Sequence, residues 1–124
     1  MGTKLLITAA LLVQSTAVLA TEKPEQDQVD VAYEEMMAGH NRAAVDQIRA
    51  SGLDRKGDPS ALINLGTAYA RMGQKDRAMA CFKAALASKN RYDVQLADGR
   101  WVDTRQIARQ SIAALEKADN LALR

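Results

Sequence analysis

Through residues 58–88, DPSALINLGTAYARMGQKDRAMACFKAALAS, apolar side chains recur at helical spacing. Leu62, Leu65, Gly66 and Tyr69 fall at i, i+3, i+4 and i+7 and share one face of a helix. After a break at Gly73, Ala78, Phe82, Ala85 and Leu86 mark the face of a second helix. Small residues (Gly66, Ala78, Ala85) alternate with large ones, so ridges of one helix can enter grooves of the other at close range. Asp58 is a good N-cap, and Pro59 suits the first helical position, where no hydrogen bond is lost. Arg77 and Lys83 fall on the solvated side of the second helix.

Leu65-Gly66, Tyr69, Ala78, Phe82 and Ala85 stand at the motif spacing of the tetratricopeptide repeat, which this segment resembles. The resemblance implies an antiparallel helix hairpin that stacks on neighbours and binds proteins or peptides. Moving the sequence by the family's 34-residue period places Gly39 on Gly73, Ala44 on Ala78, Ile48 on Phe82, Val31 on Leu65 and Ala32 on Gly66. The upstream stretch is therefore expected to be a degenerate first repeat, with helices near 25–38 and 41–51. Its departure is Glu35 where the second copy has Tyr69, a change that a terminal repeat facing water accommodates. Gly52 can take the left-handed conformation that closes the second of these helices.

Beyond Ser88 the period changes to two. Tyr92, Val94 and Leu96 alternate with polar or small residues, Asp98-Gly99 comes next, and Arg100-Trp101-Val102 resumes. Asp-Gly between alternating segments predicts a β-hairpin with a two-residue turn, Ala97 opposite Arg100 and Leu96 opposite Trp101, its apolar face resting on the helices. Asp103 or Thr104 then caps a last helix whose inner face carries Ala108, Ser111, Ile112 and Leu115 and which fades near Asn120. Aligning Ala108 with Gly66 requires a shift of 42, eight more than the period, and the hairpin accounts for the difference. The expected fold is all-α. It is a stack of two helix hairpins (repeats about 25–58 and 59–92, the first degenerate) with a β-hairpin at 92–103 and a closing helix at 104–119.

The first twenty residues stand outside this domain. Lys4, an apolar run from Leu5 to Leu12, and small or aliphatic Val18 and Ala20 before TEKPEQ have the layout of a secretory signal, so 21–124 is the expected mature domain. Its apolar stretch, interrupted by Thr8, Gln14, Ser15 and Thr16, falls short of the ~20 predominantly apolar residues of a bilayer span. Loss of Lys4 takes the formal charge from +2 to +1. A nearly neutral chain with no dense basic run and few aromatics gives no reason to expect nucleic-acid binding. Cys81 is single, which excludes an internal disulfide; an odd cysteine in an exported chain suggests a buried free thiol or an intermolecular bond, and its place beside Phe82 favours the buried thiol.

No residue pattern suggests catalysis, a metal or a cofactor. His40 has no second histidine with which to share a metal, Glu34 and Glu35 diverge by about 100° on a helix, and no glycine-rich phosphate loop is present. Binding is the expectation. In the resembling family the first helix of each repeat lines the concave face, which here implies Val29, Tyr33, Met36 and Met37, then Ile63, Asn64, Thr67 and Arg71. Arg105 and Arg109 would extend the groove on the last helix, offering carboxylates a bidentate partner. The plainer reading of each is packing for the methionines and solvated charge for the arginines. Some family members clamp a partner's C-terminal carboxylate with an asparagine at the position of Asn64, but Val29 and Tyr33 replace the lysine and asparagine of that arrangement. The expected role is a periplasmic or secreted adaptor, of the kind found among small exported repeat proteins of Gram-negative bacteria, binding a protein or peptide. The alternative is a self-associating or accessory subunit of an envelope assembly or secretion machine.

Overall fold

The computed structural model describes residues 32–96 and 98–123. Along them run α1 (Tyr33–Ala38), α2 (Asn41–Ser51), α3 (Pro59–Arg71), α4 (Lys75–Ala87), β1 (Asp93–Gln95), β2 (Trp101–Asp103) and α5 (Thr104–Ala122). The described residues are mostly helical, a stack of helix hairpins carrying a small two-stranded sheet and a C-terminal helix, consistent with the expected repeat-like fold.

The α3–α4 pair is the centre. The Asp58 carboxylate accepts the Ala61 N–H at 2.8 Å, and Pro59 occupies the first helical position, so α3 starts where its capping residues dictate. Leu65, Gly66, Ala68 and Tyr69 are buried on α3, and Ala78, Phe82 and Ala85 on α4. A Cβ built on Gly66 would come within 2.6 Å of Phe82 Cε1, 2.8 Å of Phe82 Cδ1 and 3.1 Å of Cys81 Cβ. The two helices therefore approach as closely as a missing side chain permits.

Each side of α3 feeds its own cluster. Leu65, Ala68 and Tyr69 join Met36, Ala44, Val45, Ile48, Ala78, Phe82 and Leu115. Leu62 and Ile63 join Ala85 and Ala108, with Leu86 and Ile107 packed against them. Helix α2 spans the expected residues and closes on Gly52, whose φ of 74° is left-handed. The first helix differs from expectation. Residues 25–31, Val29 among them, lie outside those described, and the helix that was to run near 25–38 begins at Tyr33, because Ala32 has a left-handed φ of 61°. Starting there puts Glu34 and Glu35 in the first turn, where the helix dipole favours acids. Glu35 also accepts from, or pairs with, His40 Nδ1 at 3.1 Å.

The hairpin forms, but with another register. Val94 lies opposite Val102 and Gln95 opposite Trp101. Leu96 N–H donates to the Arg100 carbonyl at 2.8 Å, and Gly99, at φ 86°, donates to the Leu96 carbonyl at 2.9 Å. Three residues, not two, thus separate the paired Leu96 and Arg100; Ala97, expected opposite Arg100, lies outside the described residues. A glycine in the left-handed region serves both loop lengths, and the extra residue shifts the pairing by one. A one-residue shift reverses the faces. Trp101, expected beside Leu96 on the inner face, is 66% exposed beside Gln95.

Tyr92 fastens the hairpin. Its hydroxyl donates to Asp58 Oδ2 at 2.9 Å and lies 3.0 Å from Ser60 Oγ, while its carbonyl accepts the Thr104 N–H at 3.0 Å. Burial pushes the phenol pKa up, which keeps the donor protonated. Asp103 then caps α5 by accepting the Arg105 N–H at 2.8 Å. Ala108 and Leu115 are buried and Ser111 and Ile112 half-buried, the expected inner face. The helix continues to Ala122 rather than fading by Asn120, with Asp119 ion-paired to Lys75 at the start of α4.

Gly66→Ala should gain ~1 kcal/mol of helix propensity and lose more to overpacking, ~1–3 kcal/mol, for a net destabilisation. Chemical denaturation checks the sign, and Phe82→Leu in the same chain should recover part of the loss. Tyr92→Phe should cost ~1 kcal/mol, whereas Trp101→Ala should stay within ~0.5 kcal/mol of the parent, both read from urea midpoints.

Candidate functional site

The residues singled out for binding separate into packed, engaged and exposed. Met36 is buried in the first cluster, so packing is its role; Met37, its neighbour, is 64% exposed, and Tyr33 is 44% exposed. Ile63 corrects the expectation of a groove residue. At 8% exposure it packs in the cluster with Ala108, filling the space between α3 and α5 rather than lining an open surface. The family offset that places a residue on the concave face also places it against the next helix when that helix is close.

Asn64 and Thr67 are half-buried on α3, and Thr67 Oγ1 donates back to the Ile63 carbonyl at 2.8 Å. Arg71 is exposed, yet its Nη1 donates to the Met36 carbonyl at 2.9 Å. The guanidinium thus satisfies a carbonyl near the C-terminus of α1, where a cation also complements the helix dipole. No side-chain pattern advertises this tie, because the acceptor is backbone. Four bonds of an ordinary guanidinium fork remain for other acceptors.

On α5, Arg109 is exposed and Arg105 half-buried. Among the described residues neither takes part in an ion pair, and Arg105 Nε is buried without a hydrogen-bond partner. The cationic residues that are paired, Arg42, Lys75, Arg91 and Arg100, lie elsewhere. The first-helix residues of the two repeats and α5 therefore expose an aromatic and a methionine on α1, hydroxyl and amide groups on α3, and two uncompensated arginines on α5.

Other candidate chemistry resolves into structure. The Tyr92 hydroxyl meets both Ser60 and Asp58, but Asp58 is committed to capping α3 and Tyr92 to fastening the hairpin. Cys81 is half-buried behind Gly66, and burial is the main cause that pushes its thiol pKa up. Among the described residues no group of three or more His, Cys, Asp or Glu could hold a metal ion, and no helix is long and apolar enough to cross a membrane.

Residues 59–92 match the tetratricopeptide repeat family model. This segment is a tetratricopeptide repeat. The match covers α3, α4 and the chain as far as Tyr92, the residue that pins the hairpin. Such repeats generally bind protein partners and are typically non-enzymatic, which suggests an interaction module. No curated protein and no solved structure matches the chain.

Because a raised pKa leaves less thiolate at neutral pH, Cys81 should react with iodoacetamide at pH 7.5 at least ~10-fold more slowly than a free cysteine. Unfolding in urea should abolish the difference, as read by mass spectrometry.

Proposed function

We propose that the chain is an exported interaction module, a periplasmic adaptor that takes an acidic peptide segment along the face formed by α1, α3 and α5. Arg105 carries this reading: a half-buried guanidinium with a buried, unpartnered Nε, one turn from exposed Arg109. Buried donors normally find acceptors, and two arginines four residues apart on one helix can share a carboxylate. Thr67 and Asn64 supply polar positions on the neighbouring helix, and exposed Tyr33 and Met37 supply an adaptable apolar end. Support for export comes from the basic, apolar and small-residue order of positions 1–20, which lie outside the described residues. An adaptor and an accessory subunit of an envelope machine use this face alike, and the identity of the captured protein separates them.

A photoreactive residue at Thr67 should crosslink one recurrent protein from periplasm. Substituting Arg105 and Arg109 together with Glu should leave the melting temperature nearly unchanged and weaken capture at least ~10-fold, since a like charge now opposes the partner. Capture unaffected by the double substitution would remove the arginines from the groove. Crosslinks to further copies alone would replace the adaptor with a self-assembling protein.

A further inference from the structure

The β-hairpin presents a surface that the repeat does not explain. In an antiparallel pair, residues alternate between those that bond across the ladder and those whose N–H and C=O point away from it. The bonds of Leu96 with Arg100 and of Thr104 with Tyr92, with Val94 opposite Val102, fix the alternation. Gln95 and Trp101 then form a non-bonded pair. The N–H and C=O of Trp101 accordingly point outward from the free edge of β2, next to an indole that is 66% exposed.

Free edges are usually guarded by charge, proline or cover. On β1 the outward positions are Asp93, which is charged, and Gln95, whose side-chain amide is bonded to the Gly99 carbonyl at 3.1 Å. On β2 the outward positions are Trp101, at the loop end of the strand, and Asp103, whose carboxylate is taken up by the α5 N-cap and by Arg91.

We infer that β2 pairs antiparallel with β2 of a second copy of this chain, Trp101 against Trp101. The edge is self-complementary about that residue. Each Trp101 N–H meets the other copy's Trp101 carbonyl, giving two hydrogen bonds, and the indoles become cross-strand neighbours on the exposed face. In the same register Asp103 falls opposite Gly99, and Arg100, itself paired with Asp98, falls opposite Val102. No like charges are set against each other. A formal charge of +2 on the 124-residue chain adds little repulsion. Two short edges and two indoles bury well under the ~1,200 Å² of a stable interface, so the dimer is a weak one that forms at high concentration. This pairing uses the hairpin alone and stands apart from the groove of α1, α3 and α5.

Residues that bond as an antiparallel pair have Cα atoms ~5.5 Å apart, within the ~4.4–6.8 Å span of a disulfide. In a Cys81→Ser background, Trp101→Cys should therefore form an intermolecular disulfide under oxidised glutathione at least ~10-fold faster than Val102→Cys, which lies off the two-fold axis. The unsubstituted chain should gain mass in sedimentation between ~5 µM and ~500 µM, and Trp101→Glu should stay monomeric over that range with an unchanged circular dichroism spectrum. Equal crosslinking of the two cysteine variants, a monomer at every concentration, or a mass increase that survives Trp101→Glu would each overturn the proposal.

Discussion

The contact of Gly66 with the ring of Phe82 governs how the rest of the chain is laid out. With a Cβ position only 2.6 Å from Phe82 Cε1, α3 and α4 meet at a distance that any other residue at 66 would widen. That approach buries Phe82 and Tyr69 on one flank and Ala85 and Leu62 on the other. Helix α3 consequently faces two clusters at once: α1 and α2 enter the first, and α5 enters the first through Leu115 and the second through Ala108. A small domain has little core to spare, and a helix buried on both flanks uses its apolar residues twice.

The hairpin is how the chain reaches the second flank. After α4 the polypeptide must turn and present Ala108 to Ile63, and the path passes through Tyr92. Tyr92 joins three features: the N-cap of α3 through Asp58, the ladder through Thr104, and the start of α5 just beyond Asp103. Asp58 divides its two oxygens between Ala61 and Tyr92, so the residue that begins α3 also anchors the hairpin beyond α4. Registering the strands on this anchor turns Val94 and Val102 toward shelter and Trp101 toward water.

The helices were legible because their signal is redundant: apolar period, Pro59, Asp58 and Gly52 all agree on α2, α3 and α4. The hairpin's existence was legible on the same grounds, from alternation around Asp98-Gly99. Its register was not, since Asp-Gly satisfies connections of two or three residues equally and the pleat converts that single ambiguity into a change of face. The start of α1 was hidden for another reason. A 34-residue alignment transfers residue identity but not backbone conformation, and Ala32 does not announce a left-handed φ. Of the residues expected to bind, the exposure of Met37 and Arg109 accords with their helical phase, whereas the burial of Ile63 depends on where α5 docks, and the engagement of Arg71 depends on a backbone carbonyl.

On the proposed reading, helix α5 both closes the stack and extends its binding face. Its buried stripe is narrow, Ala108 and Leu115 with Ser111 and Ile112 half-buried beside them. Arg105 and Arg109 lie about 60° and 100° round the helix from Ala108, so the same rigid segment that covers Ile63 carries both guanidinium groups. Their placement relative to Asn64 and Thr67 is then set by core packing rather than by a loop, which lowers the ordering cost of binding. Arg105 is half-buried on this helix, and its Nε remains buried without an acceptor. On the proposed reading, the position of Arg105 makes the closing helix a wall of the groove as well as the end of the core.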